Sequence, residues 1–286
     1  MLDLPLTPTL LATPHRFLLH TPTNTAILSD LHLGIEHTMR QQGLAFPNIN
    51  EQKIRESWQH LRTRLEANTG RGGSNNTGHI IIAGDLFDSP SPDPASLALA
   101  RDLLNDLPPH ISVTITPGNH DPDPATLRSL LPRAKISSCE TIPDPTQNLL
   151  VIHGHNWSDL VAGERHATGS EGHRPAIRRD PLAQGSPATT LIVGHQHPAV
   201  TLRSRLQSAK MICYALCNFS IQNSAFRILI LPTFSQAPLG TNLINENHWI
   251  LDCPAPAPAD IQIAGIVPGK EGGGVLHFGP LSQLPF

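Results

Sequence analysis

The chain has 286 residues and a formal net charge of −3, with only 15% charged residues. This length allows one or two domains, and the small negative charge excludes a globally basic surface for nucleic acid. No apolar run approaches the roughly 18 residues of a membrane span, and the N-terminus lacks a signal-peptide pattern, so we expect a cytoplasmic protein with no membrane association.

Five short apolar runs each end in polar residues. They are TAILSDLHLG (25–34), HIIIAGDLFD (79–88), SVTITPGNHD (112–121), NLLVIHGHNW (148–157) and TTLIVGHQHP (189–198). Each run is rich in Ile, Val, Leu or Thr and is followed by glycine or a turn. This pattern is typical of strands buried on both faces, and we therefore predict five strands.

Helices are predicted between these strands. From residue 50, Ile54, Trp58, Leu61 and Leu65 fall on one helical face. The pairs Asp93–Pro94 and Asp123–Pro124 each supply a cap and a first helical residue. Alternating strands and helices predict an α/β fold.

The rest of the chain is less regular. MICYALCNFS and AFRILILPTF read as two further strands, without polar tips, that form or extend a second sheet. Residues 68–78 are predicted to be a loop. Residues 158–188 are predicted to be a long connection, on which Arg174, Arg178 and Arg179 face either phosphate groups or solvent.

The polar residues that follow the five strands suit a metal site. Ligands of open α/β sheets gather at the carboxyl ends of strands, where all these residues lie. Alone, an Asp-Leu-His or His-Gln-His sequence is more often a capping or turn feature. Together the tips provide seven candidate donors, which suit two divalent ions sharing a carboxylate: Asp30, His32, Asp85, Asn119, His153, His195 and His197.

The motifs DLH, GDLFD, GNHD, HGH and GHQH resemble, in order, the five motifs of the calcineurin-like metallophosphoesterase superfamily. SDLHLGIEHTMRQQGLAFP and LPTFSQAPLGTN resemble segments of the DNA-ligase-associated phosphoesterases and the archaeal relatives of the SbcD nuclease. The resemblance implies a four-layer αββα sandwich of two mixed β-sheets flanked by helices. We predict a single domain over residues 1–286, with a Pro-rich C-terminal tail from about residue 254.

The resemblance also implies roles for individual residues. The first ion is held by Asp30, His32, Asp85 and His197, and the second by Asp85, Asn119, His153 and His195. His120 is the implied catalytic histidine, and the Asp88 carboxylate orients it. Manganese is the first candidate metal, with Ni, Co, Fe or Zn as alternatives.

Two neighbouring residues are less defined. Asp121 is predicted to accept backbone N–H groups rather than to bind metal. For His155 a contact with substrate and a structural role stay equally open.

The predicted function is hydrolysis of phosphodiesters in nucleotides or nucleic acid, by attack of a metal-bridging hydroxide on phosphorus. A phosphomonoesterase or a nucleotide or lipid pyrophosphohydrolase is the alternative, since these share the same core and differ in the pocket walls. A non-enzymatic protein-binding scaffold is disfavoured, because every ligand and His120 are present. A DNA ligase or helicase partner, and with it a role in DNA repair, is implied by the finer resemblance alone.

Overall fold

The computed structural model describes residues 2–44, 49–69, 77–155, 189–203, 207–221, 224–237, 240–245, 249–251, 253, 255–269 and 273–285. Most of the predicted loop at 68–78 and all of the predicted connection at 158–188, with Arg174, Arg178 and Arg179, lie outside these ranges. Within them, no helix is both long and apolar enough to cross a membrane.

The first sheet has seven strands in chain order. They are β1 (Leu4–Pro5), β2 (Leu10–Ala12), β3 (Leu18–His20), β4 (Thr25–Leu28), β5 (Gly78–Ile82), β6 (Ile111–Ile115) and β7 (Lys135–Ile136). Strands β1 to β4 are paired antiparallel, and β4 to β7 are paired parallel. The first three predicted strands are confirmed as β4, β5 and β6.

Four α-helices follow strands of this sheet or lie between them: α1 (Ile35–Gln41), α2 (Asn50–Asn68), α3 (Pro94–Asn105) and α4 (Pro124–Leu130). The predicted apolar face of α2 is buried in the core. Asp93 and Asp123 cap α3 and α4 as predicted, since the carboxylate of each accepts the second and third backbone N–H groups of its helix.

The second sheet has nine strands. They are β8 (Glu140–Ile142), β9 (Asn148–Ile152), β10 (Thr189–Val193), β11 (Pro198–Arg203), β12 (Ser208–Ile221), β13 (Ser224–Ile230), β14 (Thr241–Asn242), β15 (Ile261–Val267) and β16 (Gly274–Pro280). The main path is β14-β11-β12-β13-β10-β9-β8, and β15 pairs with both β12 and β16. The two further predicted strands are confirmed as β12 and β13, and the chain beyond residue 254 supplies β15 and β16.

The two sheets pack face to face. Because side chains alternate along a strand, Ile27 and Ile81 face the second sheet, where they cluster with Leu149, Ile192 and Leu229. Their neighbours on β4 and β5 face the helices. The predicted sandwich of two mixed sheets is confirmed. Among the described residues, loop and 3-10 segments containing Leu251, Leu281 and Leu284 pack on the outer face of the second sheet.

This arrangement brings five strand ends to one edge. Strands β4, β5 and β6 are parallel to one another in the first sheet, as β9 and β10 are in the second. All the predicted ligands follow these five strands, so they lie where the carboxyl ends of the two sheets meet.

Candidate metal centre

The loops after the five strands are joined by hydrogen bonds. The backbone N–H groups of Asp30 and His32 donate to the carbonyls of Gly84 and Asp85, over 3.0 and 2.9 Å. The Asp30 carboxylate accepts the backbone N–H of His195, over 3.1 Å to Oδ1 and 3.2 Å to Oδ2. Asp30, which follows a strand of the first sheet, is thereby fixed against the loop of the second sheet that carries His195 and His197.

One group of donors is formed by Asp30, His32 and His197, whose ligand atoms lie within 4.8 Å of one another. His197 Nε2 is 3.2 Å from Asp30 Oδ1 and 3.2 Å from His32 Nε2. Two imidazole nitrogens and a carboxylate oxygen therefore point into the same small space. These are donors that divalent transition metals accept.

A second group is formed by Asp85, His153 and His195, again within 4.8 Å. Asn119 joins it, because its Oδ1 lies 3.2 Å from His153 Nε2. The other nitrogen of His153 pairs with the carbonyl of Ala83 over 2.9 Å, which fixes the ring and directs Nε2 into the group.

Asp85 lies between the two groups. Its Oδ2 is 3.3 Å from His153 Nε2 and 3.8 Å from His32 Nε2. A Cβ at Gly118 would lie 2.1 Å from Asp85 Oδ1, and one at Gly84 would lie 2.2 Å from the His153 ring. The glycines of the GNHD and GDLFD motifs thus leave the space that these two side chains occupy.

The ligand loops have unusual backbone conformations. Seven non-glycine residues in the described ranges have positive φ, and five of them are predicted ligands: Asp30 (56°), His32 (45°), Asp85 (46°), His195 (64°) and His197 (46°). Such conformations cost about 1–3 kcal/mol each and persist where the surrounding structure fixes them, typically at functional sites.

The charges of this centre are strongly coupled. Burial opposes ionisation of Asp30, but His197, His153 and His32 outweigh it and hold the pKa of Asp30 below its usual range. Burial also opposes protonation of His153, yet Asp85 and Asp30 raise its pKa to about 9. Burial, helped by the charge of His153, lowers the pKa of His195 to about 4.

These donors fit a cation. Without metal, a proton on His153 balances the buried carboxylates, and a metal ion must displace it, since a bound imidazole is neutral. The residues present therefore match the chemistry of a divalent metal centre. The first group contains three of its four predicted ligands, and the fourth, Asp85, belongs to the second group and lies 3.8 Å from His32.

His120 lies at the edge of the centre and is half-buried. Its backbone N–H donates to Asp85 Oδ1 over 3.0 Å. The predicted contact with Asp88 differs in detail, because His120 Nδ1 pairs over 3.0 Å with the main-chain carbonyl of Asp88. The Asp88 carboxylate instead lies 3.3 Å from His32 Nδ1, so it stands between His32 and His120.

Asp121 and His155 have distinct positions. Asp121 accepts the backbone N–H groups of Phe87 and Gly118, each over 2.9 Å, which confirms its predicted loop-supporting role. Burial raises the pKa of Asp121 to about 6. The His155 ring lies 5.2 Å from that of His153, and its buried Nδ1 has no hydrogen-bond partner among the described residues.

Comparison with known proteins accounts for this centre. The model of the calcineurin-like phosphoesterase family matches residues 23–223, which include all five motifs. The chain belongs to this family. It is a metal-dependent phosphoester hydrolase.

Other comparisons are more distant. Among solved structures, this phosphoesterase is similar to the nuclease MPE of Pseudomonas putida at 18% identity, over 90% of this chain and 91% of that chain, with a TM-score of 0.47. No curated protein compared with the phosphoesterase matches it.

Sequence reasoning missed one part of the phosphoesterase centre. The sequence predicts β13 as a strand without a polar tip. In the structure the turn after β13 contacts Asp30 through Thr233 and Ser235. The segment LPTFSQAPLGTN, which carries a family resemblance, contains this turn and is the sequence signal for it.

Proposed function

We propose that the enzyme hydrolyses phosphodiesters of nucleotides or nucleic acid with two bound divalent ions. The observation that carries this proposal is the pair of donor groups with Asp85 between them, its Oδ2 3.3 Å from His153 Nε2 and 3.8 Å from His32 Nε2, and with His120 beside them. In the proposal, Asp30, His32 and His197 complete one ion site. Asn119, His153 and His195 complete the other.

When bound, two ions would neutralise the phosphate charge and supply a nucleophile at neutral pH. The chain itself would provide the leaving-group proton. His120 Nδ1 faces the Asp88 carbonyl, which favours an N–H at that nitrogen, so as an acid the ring would have to be imidazolium and would give the leaving oxygen its Nε2 proton, becoming the neutral Nδ1–H form. The bond from the His120 backbone to Asp85 ties this acid to the shared carboxylate.

The choice of diesters over monoesters rests on the resemblance. Alkyl monoesters and diesters alike release a basic alkoxide, which needs the acid that His120 would provide. The segments around Asp30 and Thr233 resemble those of the DNA-ligase-associated phosphoesterases and the archaeal relatives of the SbcD nuclease. Manganese, a cytoplasmic location and a DNA ligase or helicase partner remain predictions from the sequence.

A substrate panel tests the proposal. Chelated protein would be reconstituted with Mn²⁺, Co²⁺, Ni²⁺ or Zn²⁺ and assayed on bis-p-nitrophenyl phosphate, p-nitrophenyl phosphate, single- and double-stranded oligonucleotides, and a nucleoside diphosphate sugar. We expect the diesters to be the best substrates. Faster hydrolysis of the monoester or the pyrophosphate would contradict the diesterase assignment. Asp85→Asn protein purified in parallel controls for contaminating nuclease.

A further inference from the structure

The turn at 232–236 follows β13 and ends beside the ligand loops. Strand β13 is parallel to β10, and the backbone N–H of Leu231 donates to the carbonyl of Val193 over 2.8 Å. The turn is therefore at the same edge as the five ligand-bearing loops. It carries no predicted ligand, yet the side chains of Thr233 and Ser235 are fully buried there.

This turn forms hydrogen bonds with the backbone of the loop that carries Asp30. The backbone N–H of Phe234 donates to the Ser29 carbonyl over 2.8 Å. The Asp30 carbonyl accepts two hydrogen bonds, from Thr233 Oγ1 over 2.8 Å and from the Ser235 backbone N–H over 3.2 Å. Because Asp30 has a left-handed backbone with φ of 56°, its peptide orientation needs such external support.

The turn is itself fixed by groups behind it. Arg16 Nη1 donates to the carbonyls of Thr233 and Ser235, over 3.3 and 2.5 Å. Asn50 Oδ1, at the start of α2, accepts from Ser235 Oγ over 3.1 Å and from the Gln236 backbone N–H over 2.8 Å. The turn that carries Thr233 is thus fixed where the two sheets meet. The Thr233 hydroxyl has one proton, and the nearer of its two acceptors is the Asp30 carbonyl at 2.8 Å, against 3.3 Å for the Ser235 carbonyl.

We propose that Thr233 is a positioning residue for the metal centre. Its hydroxyl holds the Asp30 peptide in the conformation that directs the carboxylate toward His197, so it sets the geometry of one ion site. The other site, around His153 and His195, is reached from Thr233 only through the bonds that the Asp30 carboxylate accepts from the His195 backbone N–H, so we expect a smaller effect there. This inference rests on the proposed two-ion function.

Three variants separate positioning from stability. Thr233→Val keeps the shape and removes the hydroxyl, and Thr233→Ser keeps the hydroxyl. Thr190→Val is the matched control, because Thr190 Oγ1 is equally buried in β10 and donates to Gln147 Oε1 over 2.8 Å, at the opposite end of that strand. If Thr233→Val does not fold, Thr233→Ala replaces it.

Chelated proteins would be titrated with Mn²⁺ by calorimetry, and the stability of each metal-free protein measured by urea unfolding. We expect Thr233→Val to lower the affinity for one of the two ions by roughly 10–100-fold, as is typical when the support of a metal ligand is lost. The affinity for the other ion should fall much less, because Asp30 reaches that site only through the His195 backbone. Thr233→Ser should restore both affinities. Thr190→Val should lose stability and bind both ions like the parent.

The inference is overturned if Thr233→Val binds both ions with parent affinity, if both affinities fall equally, or if Thr190→Val reproduces the loss. Failure of the proposed function has a different signature, because the parent protein itself would then bind fewer than two ions or hydrolyse no phosphodiester.

Discussion

Two buried clusters of histidine and carboxylate in this molecule have similar composition and different bonding. His20 and Asp144 form the simpler one, with both side chains fully buried. His20 Nδ1 pairs with Thr23 Oγ1 over 2.7 Å, and Nε2 pairs with Asp144 Oδ2 over 2.9 Å. The second oxygen of Asp144 accepts from Thr146 and Gln147. Every polar atom of the pair has a partner.

The metal centre has an excess of donors. His32 Nε2 and His197 Nε2 face each other at 3.2 Å, and Asp30 Oδ1 lies 3.2 Å from His197 Nε2. Histidine and aspartate together therefore do not mark a metal site. What distinguishes the centre is that imidazole nitrogens and carboxylate oxygens of several residues converge on one space, which suits a cation.

The largest contrast is expected between Asp85→Asn and Asp144→Asn. Loss of the shared carboxylate should lower turnover by more than about 100-fold, beyond the loss typical of indirect ligand support. Asp144→Asn should keep turnover and lower the free energy of unfolding by about 1–3 kcal/mol, because it disturbs a buried hydrogen-bonded pair. Activity assays and urea unfolding of both variants test this. Equal turnover in the two variants would contradict the claim that only the cluster with Asp85 is catalytic.

Removing a histidine side chain should also affect the metal centre and the His20–Asp144 pair differently. His120→Ala should bind both ions and lose roughly 10²–10⁴-fold in turnover on an alkyl diester, the usual contribution of a positioned acid. The loss should shrink on p-nitrophenyl esters, because a phenolate leaves without a proton. His20→Ala should lose stability and retain turnover. An equal loss on both ester types would argue against His120 as the proton donor.

A smaller effect is expected for Asp88→Asn. Its carboxylate lies beside His32, and its carbonyl contacts His120, so only the first contact changes. We expect a loss of about 10–100-fold in metal affinity or turnover. Calorimetric titration would locate this loss at the ion site of His32. Parent values for both quantities would show that the carboxylate supports neither histidine.

The smallest expected effect is a change in how the free energy of unfolding depends on pH when the His20–Asp144 pair is altered. Burial lowers the pKa of His20, outweighing the hydrogen bond and charge of Asp144. Just below pH about 6.5, the unfolded chain thus protonates this imidazole more readily than the folded chain does, and stability falls as pH decreases. His20→Gln should reduce this slope by at most about 1.4 kcal/mol per pH unit in chelated protein. An unchanged slope between pH 6.5 and 5 would contradict the assignment.

The strands and helices that carry the centre were predictable because their signals are local. Short apolar runs rich in Ile, Val, Leu or Thr mark β4 to β6, and Asp93–Pro94 marks the start of α3. Strands β1 to β3 were missed, because two or three residues carry no detectable period. The role of Thr233 could not be predicted, since it depends on the parallel pairing of β13 with β10. The side-chain direction of Asp88 likewise depends on packing that no local pattern records.

The central claim is that the five strand-end loops, and not the His20–Asp144 pair, form a two-ion catalytic centre. The most direct measurement is the number of Mn²⁺ ions bound per chain, by calorimetry and elemental analysis, together with diester turnover, in chelated parent, Asp85→Asn and Asp144→Asn proteins. We predict that the parent and Asp144→Asn bind two ions and show metal-dependent turnover. Asp85→Asn should bind fewer than two ions with native affinity and lose turnover. Full turnover by the parent in excess EDTA, or two ions with native affinity in Asp85→Asn, would contradict the claim.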